Sequence, residues 1–115
     1  MMPHLIVEYS NTLQASMQTV LPTLHQVLLA SNQFGASDIK VRAREYQDFL
    51  VGGTTDAAFV HLTLYLLDGR SHETKHALSQ ALCAAIEQHI QASSPIQITV
   101  DIRDMVRATY SKIIK

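Results

Sequence analysis

The chain has 115 residues and a mass of 12.8 kDa, so we expect one domain spanning residues 1–115. Hydrophobic residues make up 47% and charged residues 17% of the sequence, which excludes intrinsic disorder. A formal net charge of -1 argues against nucleic acid or an anionic membrane surface as a bulk partner. The single cysteine excludes an internal disulfide, and no apolar run approaches the ~20 residues of a membrane helix. Because no secretory signal is recognisable, we expect a cytoplasmic protein.

The first part of the chain predicts a strand, a helix and a second strand. Residues 3–9 form a short, apolar, β-branched run that predicts a strand. Apolar residues then recur at helical spacing over 13–29, but Pro22 interrupts them. We therefore expect the main helix over 21–31, preceded by a loose helical turn. Residues 38–49 alternate apolar and polar, which predicts a strand with a basic face formed by Lys40, Arg42 and Arg44.

The second part repeats this order of elements. Residues 57–67 form the most apolar run of the sequence and predict a central, covered strand. Ser71 can cap a following helix, which we expect to end near Ser93 and the residues after it. Residues 96–103 alternate strictly and predict a half-buried strand, followed by a mixed tail.

The two parts, about 3–49 and 57–103, resemble each other and each predict a βαβ unit. The predicted fold class is α/β (α+β), with two fused units forming a four-stranded mixed sheet and both helices on one sheet face. The other sheet face would be bare unless subunits pack against it, so we expect a homo-oligomer.

One motif offers a metal-based alternative. His72, Glu73 and His76 match H-E-x-x-H, in which two histidines on one helix face bind zinc and the glutamate acts as base. Lys75 would place a positive charge between the ligands, and no other residue has the spacing of a third ligand. The sequence therefore favours a polar helix start with no metal, and a small zinc hydrolase is the less favoured alternative.

Several residues suit an acidic substrate. Arg70 precedes a predicted helix N-terminus and carries a fork that fits a carboxylate. The cations of the basic strand repel one another, and a bound carboxylate would relieve this repulsion. Which of Lys40, Arg42 and Arg44 faces a site is left open by the sequence. If the residues before Pro3 were removed, its secondary amine could transfer protons, because burial and nearby cations disfavour a charged amine.

These residues resemble the 5-carboxymethyl-2-hydroxymuconate Δ-isomerases of the tautomerase superfamily. The similarity rests on Pro-His-Leu-Ile-Val-Glu-Tyr at 3–9, on Ala-Phe-Val-His-Leu-Thr-Leu at 58–64 and on Gly-Arg-Ser at 69–71. The resemblance implies an isomerase that moves a C=C bond by keto–enol tautomerisation. Its substrate would be 5-carboxymethyl-2-hydroxymuconate or a related unsaturated 2-hydroxy acid of aromatic-compound catabolism, converted to the 2-oxo isomer. It also implies a trimer and neither metal nor organic cofactor.

The resemblance also implies roles for individual residues. Pro3 would be the catalytic proton shuttle, and Arg70 would bind a substrate carboxylate. Arg42 matches one family arginine in catalysis and substrate binding. Lys40 occupies the place of another and offers a point charge without the bidentate fork.

The start of the chain bears on this chemistry. Removal of an initiator methionine needs a small following residue, so a chain that starts at Met1 should keep Pro3 blocked. A start at Met2 would free the proline. A blocked proline predicts the alternative function, a non-catalytic tautomerase-fold oligomer that binds a small acid.

Overall fold

The computed structural model describes residues 2–91 and 94–115, so Met1, Ala92 and Ser93 lie outside the described part. Within it, two α-helices and four strands form an α+β fold with short 3-10 turns between them. The main elements in chain order are β1 (His4–Ser10), α1 (Met17–Ala30), β2 (Lys40–Tyr46), β3 (Ala58–Leu67), α2 (His72–His89) and β4 (Ile96–Met105). No helix of the described residues is long and apolar enough to cross a membrane.

The four strands form one mixed sheet, as predicted, in the order β2-β1-β3-β4. The pairs β1–β2 and β3–β4 are parallel, whereas the central pair β1–β3 is antiparallel. The starts of β1 and β2 therefore meet the ends of β3 and β4 at one end of the sheet, which we call the proline end. The backbone N–H of Lys40 donates to the Pro3 carbonyl there at 3.1 Å.

Both helices pack on the same sheet face, because alternate strand residues point into one core. The fully buried side chains of this core come from β1, β3 and the two helices: Leu5, Val7, Val60, Leu62, Leu64, Leu66, Val20, Leu24, Leu28, Leu82 and Ile86. The intervening strand residues form the opposite surface, the open face, which no helix of the described part of the chain covers. This face carries the cations of β2 in register with β1: Lys40 beside His4, Arg42 beside Ile6, and Arg44 beside Glu8.

Helix α1 begins earlier than predicted. It starts at Met17 rather than Leu21, so Pro22 lies inside it. An interior proline costs about 3 kcal/mol in a helix. Met17 and Val20 are 6% and 1% exposed, and burying such side chains contributes roughly 1.5–3 kcal/mol each. The core contacts of the first turn outweigh the lost hydrogen bond, which is why the sequence rule failed.

Strand ends also differ from the prediction. Strand β1 begins at His4 because Pro3 has no N–H to donate, although its carbonyl joins the ladder. Strand β2 is shorter than 38–49 because Asp38 belongs to a 3-10 turn, and β4 runs on to Met105 because it pairs with the full length of β3.

The end of α2 was also predicted too late. The helix ends at His89, where the buried Ile90 takes an extended conformation with φ -112° and ψ 121°. Burial of this side chain turns the backbone out of the helix before the serines are reached. Ser93, named in the prediction, lies outside the described residues.

Candidate active site

Arg70 lies in the short turn between β3 and α2, at the proline end. Gly69 precedes it with φ +115°, a conformation that favours glycine and lets the chain leave the strand sharply. Ser71 follows as the N-cap of α2, and its Oγ accepts the Thr74 N–H at 3.1 Å, as predicted. The arginine is thus placed between a glycine turn and a capped helix start.

The Arg70 guanidinium is held by groups from two segments. Its Nε and Nη2 donate to the side-chain and backbone oxygens of Gln33, each at 3.0 Å, and its Nη1 donates to the Leu67 carbonyl at 3.2 Å. It also stacks 4.8 Å from the centroid of the Phe34 ring. Burial, and then the nearby Arg107 cation, lower the pKa of Arg70. Three of the five N–H donors of an arginine are therefore used within the chain.

Pro3 lies at the start of β1 with its ring fully buried. Strand alternation puts it on the helix-covered side with Leu5, while the next residue, His4, lies on the open face. Its nitrogen is bonded to the Met2 carbonyl in the sequence as given, and an amide nitrogen is not a base.

The cations of β2 differ in their contacts. The Lys40 ammonium donates to the Asp38 carbonyl at 2.8 Å, and Arg42 Nη1 donates to His4 Nδ1 at 3.2 Å. Arg44 lies beside Glu8, but the Glu8 carboxylate accepts the Tyr46 hydroxyl instead. Within residues 2–91 and 94–115, no carboxylate forms a salt bridge with the Arg42 or Arg44 guanidinium. Among the described residues, the open face of β2 therefore presents two guanidinium groups that lie outside salt bridges, and Glu8 is the carboxylate beside Arg44.

The predicted site residues thus fall into two groups. Pro3, Lys40 and Arg70 lie at the same end of the sheet, the proline end, although they are far apart in the sequence. Arg42 lies one residue pair further along the open face, and Arg44 two pairs further. The partners of Arg70 belong to the segment after α1 and to the end of β3, whereas the partner of Arg42 belongs to β1.

Sequence reasoning missed the residues that hold these arginines. Gln33 and Phe34 hold Arg70, and His4 holds Arg42. His4 in turn contacts Tyr110, which is 106 positions away in the sequence. Only His4 carried a signal, as the second residue of the opening motif. No local pattern links the other side chains to the site.

The H-E-x-x-H motif does not assemble a metal site. His72, Glu73 and His76 are exposed at the start of α2, and the Lys75 ammonium is bound to Asp104 at 3.2 Å. Among the residues that the structure describes, no group of three His, Cys, Asp or Glu side chains could hold a metal ion. A third zinc ligand is therefore missing from this donor set, which favours the interpretation as a polar helix start.

Comparisons with solved structures give the same fold. A 5-carboxymethyl-2-hydroxymuconate isomerase from Deinococcus radiodurans R1 is 30% identical, with a TM-score of 0.87 over 98% of this chain and 90% of that one. A 5-carboxymethyl-2-hydroxymuconate delta-isomerase is 22% identical, with a TM-score of 0.79 over 97% and 88%. A fused 4-OT symmetric trimer is 24% identical, with a TM-score of 0.76 over 91% and 87%.

Comparisons of sequence identify the family. No curated protein matches the chain. The sequence model of the 5-carboxymethyl-2-hydroxymuconate isomerases matches residues 3–113, which is nearly the whole chain and begins at Pro3. This extent of match, together with the fold and the 30% identical relative, means that the chain belongs to the 5-carboxymethyl-2-hydroxymuconate isomerase family, whose fold is that of the tautomerases.

Proposed function

We propose that this protein is an isomerase that converts 5-carboxymethyl-2-hydroxymuconate, or a related unsaturated 2-hydroxy acid of aromatic-compound catabolism, to its 2-oxo isomer. The observation that carries the proposal is the family match, which begins at Pro3 and covers the rest of the site. The buried Pro3 ring and the cations near it support the same chemistry. A substrate with several carboxylates would find complementary charge here.

In the proposed reaction, Pro3 transfers one proton and no net proton is consumed. Its free amine takes the proton of the 2-hydroxyl group, and the electrons of the O–H bond form the C=O bond. The conjugated C=C electrons shift along the chain, and the resulting ammonium returns the proton to a carbon of that chain. Arg42 binds a substrate carboxylate throughout the reaction, and Lys40 holds another carboxylate.

Arg70 has a more constrained role in this proposal. Because three of its donors are bound to Gln33 and Leu67, a substrate carboxylate binds to its remaining N–H groups or displaces the Gln33 amide. The Phe34 stack and the capped helix start keep the guanidinium in place during this exchange.

The mechanism requires a free amine, and this requirement supplies the test. We would compare the chain 1–115 with a chain released by a protease so that Pro3 is its first residue. Ketonisation of the 2-hydroxymuconate substrate is followed by the loss of dienol absorbance. We expect activity only in the Pro3-first chain, and Pro3→Ala in that chain should lower kcat by roughly 10²-fold or more. Equal activity in both chains, or none in the Pro3-first chain, would contradict the proposal.

A second candidate function follows from the amide bond between Met2 and Pro3. While that bond is intact, the protein would bind a small acid without isomerising it. Calorimetric titration of chain 1–115 with the substrate distinguishes the two functions. Binding without turnover in both forms of the chain would support the binding function over the isomerase.

We further propose that the protein assembles as a homotrimer. Similar folds are described as trimers, and within residues 2–91 and 94–115 the open face lacks a helix layer while β2 and β4 each have an unpaired edge. Native mass spectrometry should give about three times the 12.8 kDa chain mass. A monomer at micromolar concentration would contradict this assembly.

A further inference from the structure

The His4 side chain lies between an arginine and a tyrosine on the open face. Its Nδ1 is 3.2 Å from Arg42 Nη1, and its Nε2 is 2.9 Å from the Tyr110 hydroxyl oxygen. The two rings meet edge to face, with centroids 6.1 Å apart and planes at 70°. Both nitrogens of one imidazole are thus engaged directly beside Pro3.

These contacts determine which nitrogen carries the proton. A guanidinium can only donate hydrogen bonds, so His4 Nδ1 must be the acceptor and must be unprotonated. A neutral imidazole then carries its hydrogen on Nε2, which donates to the Tyr110 oxygen. The network therefore requires a neutral His4 in one tautomer.

Tyr110 reaches this position because the C-terminal segment crosses the proline end. Past Tyr110, the Lys112 ammonium forms an ion pair with the Asp38 carboxylate at 2.9 Å. Their side chains are 21% and 24% exposed, so the pair is partly shielded from water. Asp38 lies just before β2, so the ion pair anchors the segment beside the strand that carries Arg42.

We propose that His4 is a positioning residue: as a neutral imidazole it holds the Arg42 guanidinium in place on the open face, and Tyr110 from the C-terminal segment holds the imidazole in the required tautomer. The proposal rests on the proposed isomerase function for its kinetic consequences. Its structural content, the tautomer and the Arg42 contact, can be measured without substrate.

The groups around His4 predict how acid affects the network. Burial lowers the pKa of His4 below 6.5, and the Lys40 and Arg42 cations lower it further. The ring therefore stays neutral to a lower pH than an ordinary histidine does, and it gains a proton on Nδ1 only in more acidic solution. A protonated Nδ1 cannot accept a hydrogen bond from Arg42 and repels its guanidinium.

The groups that face His4 come from every strand of the sheet and from the C-terminal segment. They are Lys40 and Arg42 from β2, Tyr65 from β3 with Arg103 beyond it on β4, Glu8 further along β1, and Tyr110.

Kinetic variants distinguish positioning from a general structural role. In the Pro3-first chain, His4→Asn places an amide oxygen near the Nδ1 position, whereas His4→Gln offers its polar groups near Nε2. In the parent, KM should rise in acid, because protonated His4 no longer holds Arg42. We expect His4→Asn to keep KM close to that of the parent and to abolish this rise of KM in acid. We expect His4→Gln to raise KM on the order of 10-fold with little change in kcat.

The matched control is His61→Asn. This histidine also lies on the open face, but its Nδ1 bonds to the Thr99 hydroxyl at 2.6 Å rather than to an arginine. We expect His61→Asn to change neither KM nor the rise of KM in acid. Equal KM values for His4→Asn and His4→Gln, or a rise of KM in acid that persists in His4→Asn, would overturn the proposal.

Nitrogen NMR of the imidazoles tests the network without any activity. We expect His4 as the Nε2–H tautomer, with a pKa below 6.5 that rises in Arg42→Ala because a neighbouring cation is lost. An Nδ1–H tautomer, or a His4 pKa that is insensitive to Arg42→Ala, would overturn the positioning role. An inactive protein that nevertheless shows the expected tautomer and pKa would contradict only the isomerase function.

Discussion

The two halves of the molecule, β1–α1–β2 and β3–α2–β4, hold their arginines by different means. Arg70 of the second half has three hydrogen bonds and a ring stack, and burial lowers its pKa. Arg42 of the first half is exposed and, among the residues that the structure describes, has one hydrogen bond, to His4. The Arg70 guanidinium is part-buried within the fold, whereas the Arg42 guanidinium lies on its surface.

The difference teaches how a small fold can separate stability from binding. A part-buried guanidinium must satisfy its donors internally, so Arg70 also ties the segment after α1 to the end of β3. An exposed guanidinium can leave most of its donors in solvent, so Arg42 keeps them available for an anion. Substitutions of the two arginines should therefore have different consequences.

The largest effect is expected for Arg70→Ala. The Gln33 and Leu67 oxygens would lose their donors, so the free energy of unfolding should fall by about 1–3 kcal/mol. KM of the Pro3-first chain should also rise by at least about 10-fold. Urea denaturation and steady-state kinetics measure the two effects. Arg103→Ala is the control, because that side chain is 65% exposed and solvent screens its pair with Asp101. Unchanged stability in Arg70→Ala would remove the contrast between the halves.

For Arg42→Ala we expect a change in binding without a change in stability. KM should rise on the order of 10-fold, because a charged hydrogen bond to substrate is lost. The free energy of unfolding should stay within about 0.5 kcal/mol, as for other exposed positions. The same two measurements apply, and a loss of stability equal to that of Arg70→Ala would show that the arginines are equivalent.

A smaller effect is expected at the capped start of α2. Ser71→Ala removes the acceptor of the Thr74 N–H and should lower the free energy of unfolding by about 1 kcal/mol. Ser71→Thr keeps a hydroxyl and should stay close to the parent. The start of α1 offers a comparison, because its N-cap Ser16 makes no side-chain hydrogen bond to the helix. Ser16→Ala should therefore be nearly neutral, and an equal loss at both serines would contradict this difference.

The smallest effect is expected in acid. The hydrogen bond from Lys112 is the main cause that lowers the pKa of Asp38 from its usual 3.8. Because the folded pKa is the lower one, the stabilisation is present above pH 3.8 and is lost as the pH falls through the folded value. In Lys112→Met, Tyr110 should leave His4 at a higher pH than in the parent, as followed by NMR of the tyrosine ring. Arg103→Met should leave this transition unchanged, and identical transitions in all three proteins would exclude a role for the ion pair.

Local patterns predicted much of the second half. An apolar run predicted β3, alternation predicted β4, and Ser71 predicted the start of α2, because all three signals involve residues within a few positions of one another. The first half was predicted less well. Pro22 indicated a helix start near it, but burial of Met17 and Val20 against the sheet extends α1 by four residues. Core burial is a sum over distant residues, which a local rule does not include.

By itself, the sequence determined the kinds of element, their order, the basic face of β2 and the family to which the chain belongs. Only the tertiary structure decided that the central strands run antiparallel, and this direction brings Pro3 and Arg70 to one end of the sheet. It also decided the partners of the two arginines: Gln33 is 37 positions from Arg70, and His4 is 38 positions from Arg42. The physical reason is that hydrogen bonds within a turn or cap are encoded locally. Contacts across the sheet exist only once the whole core has excluded water.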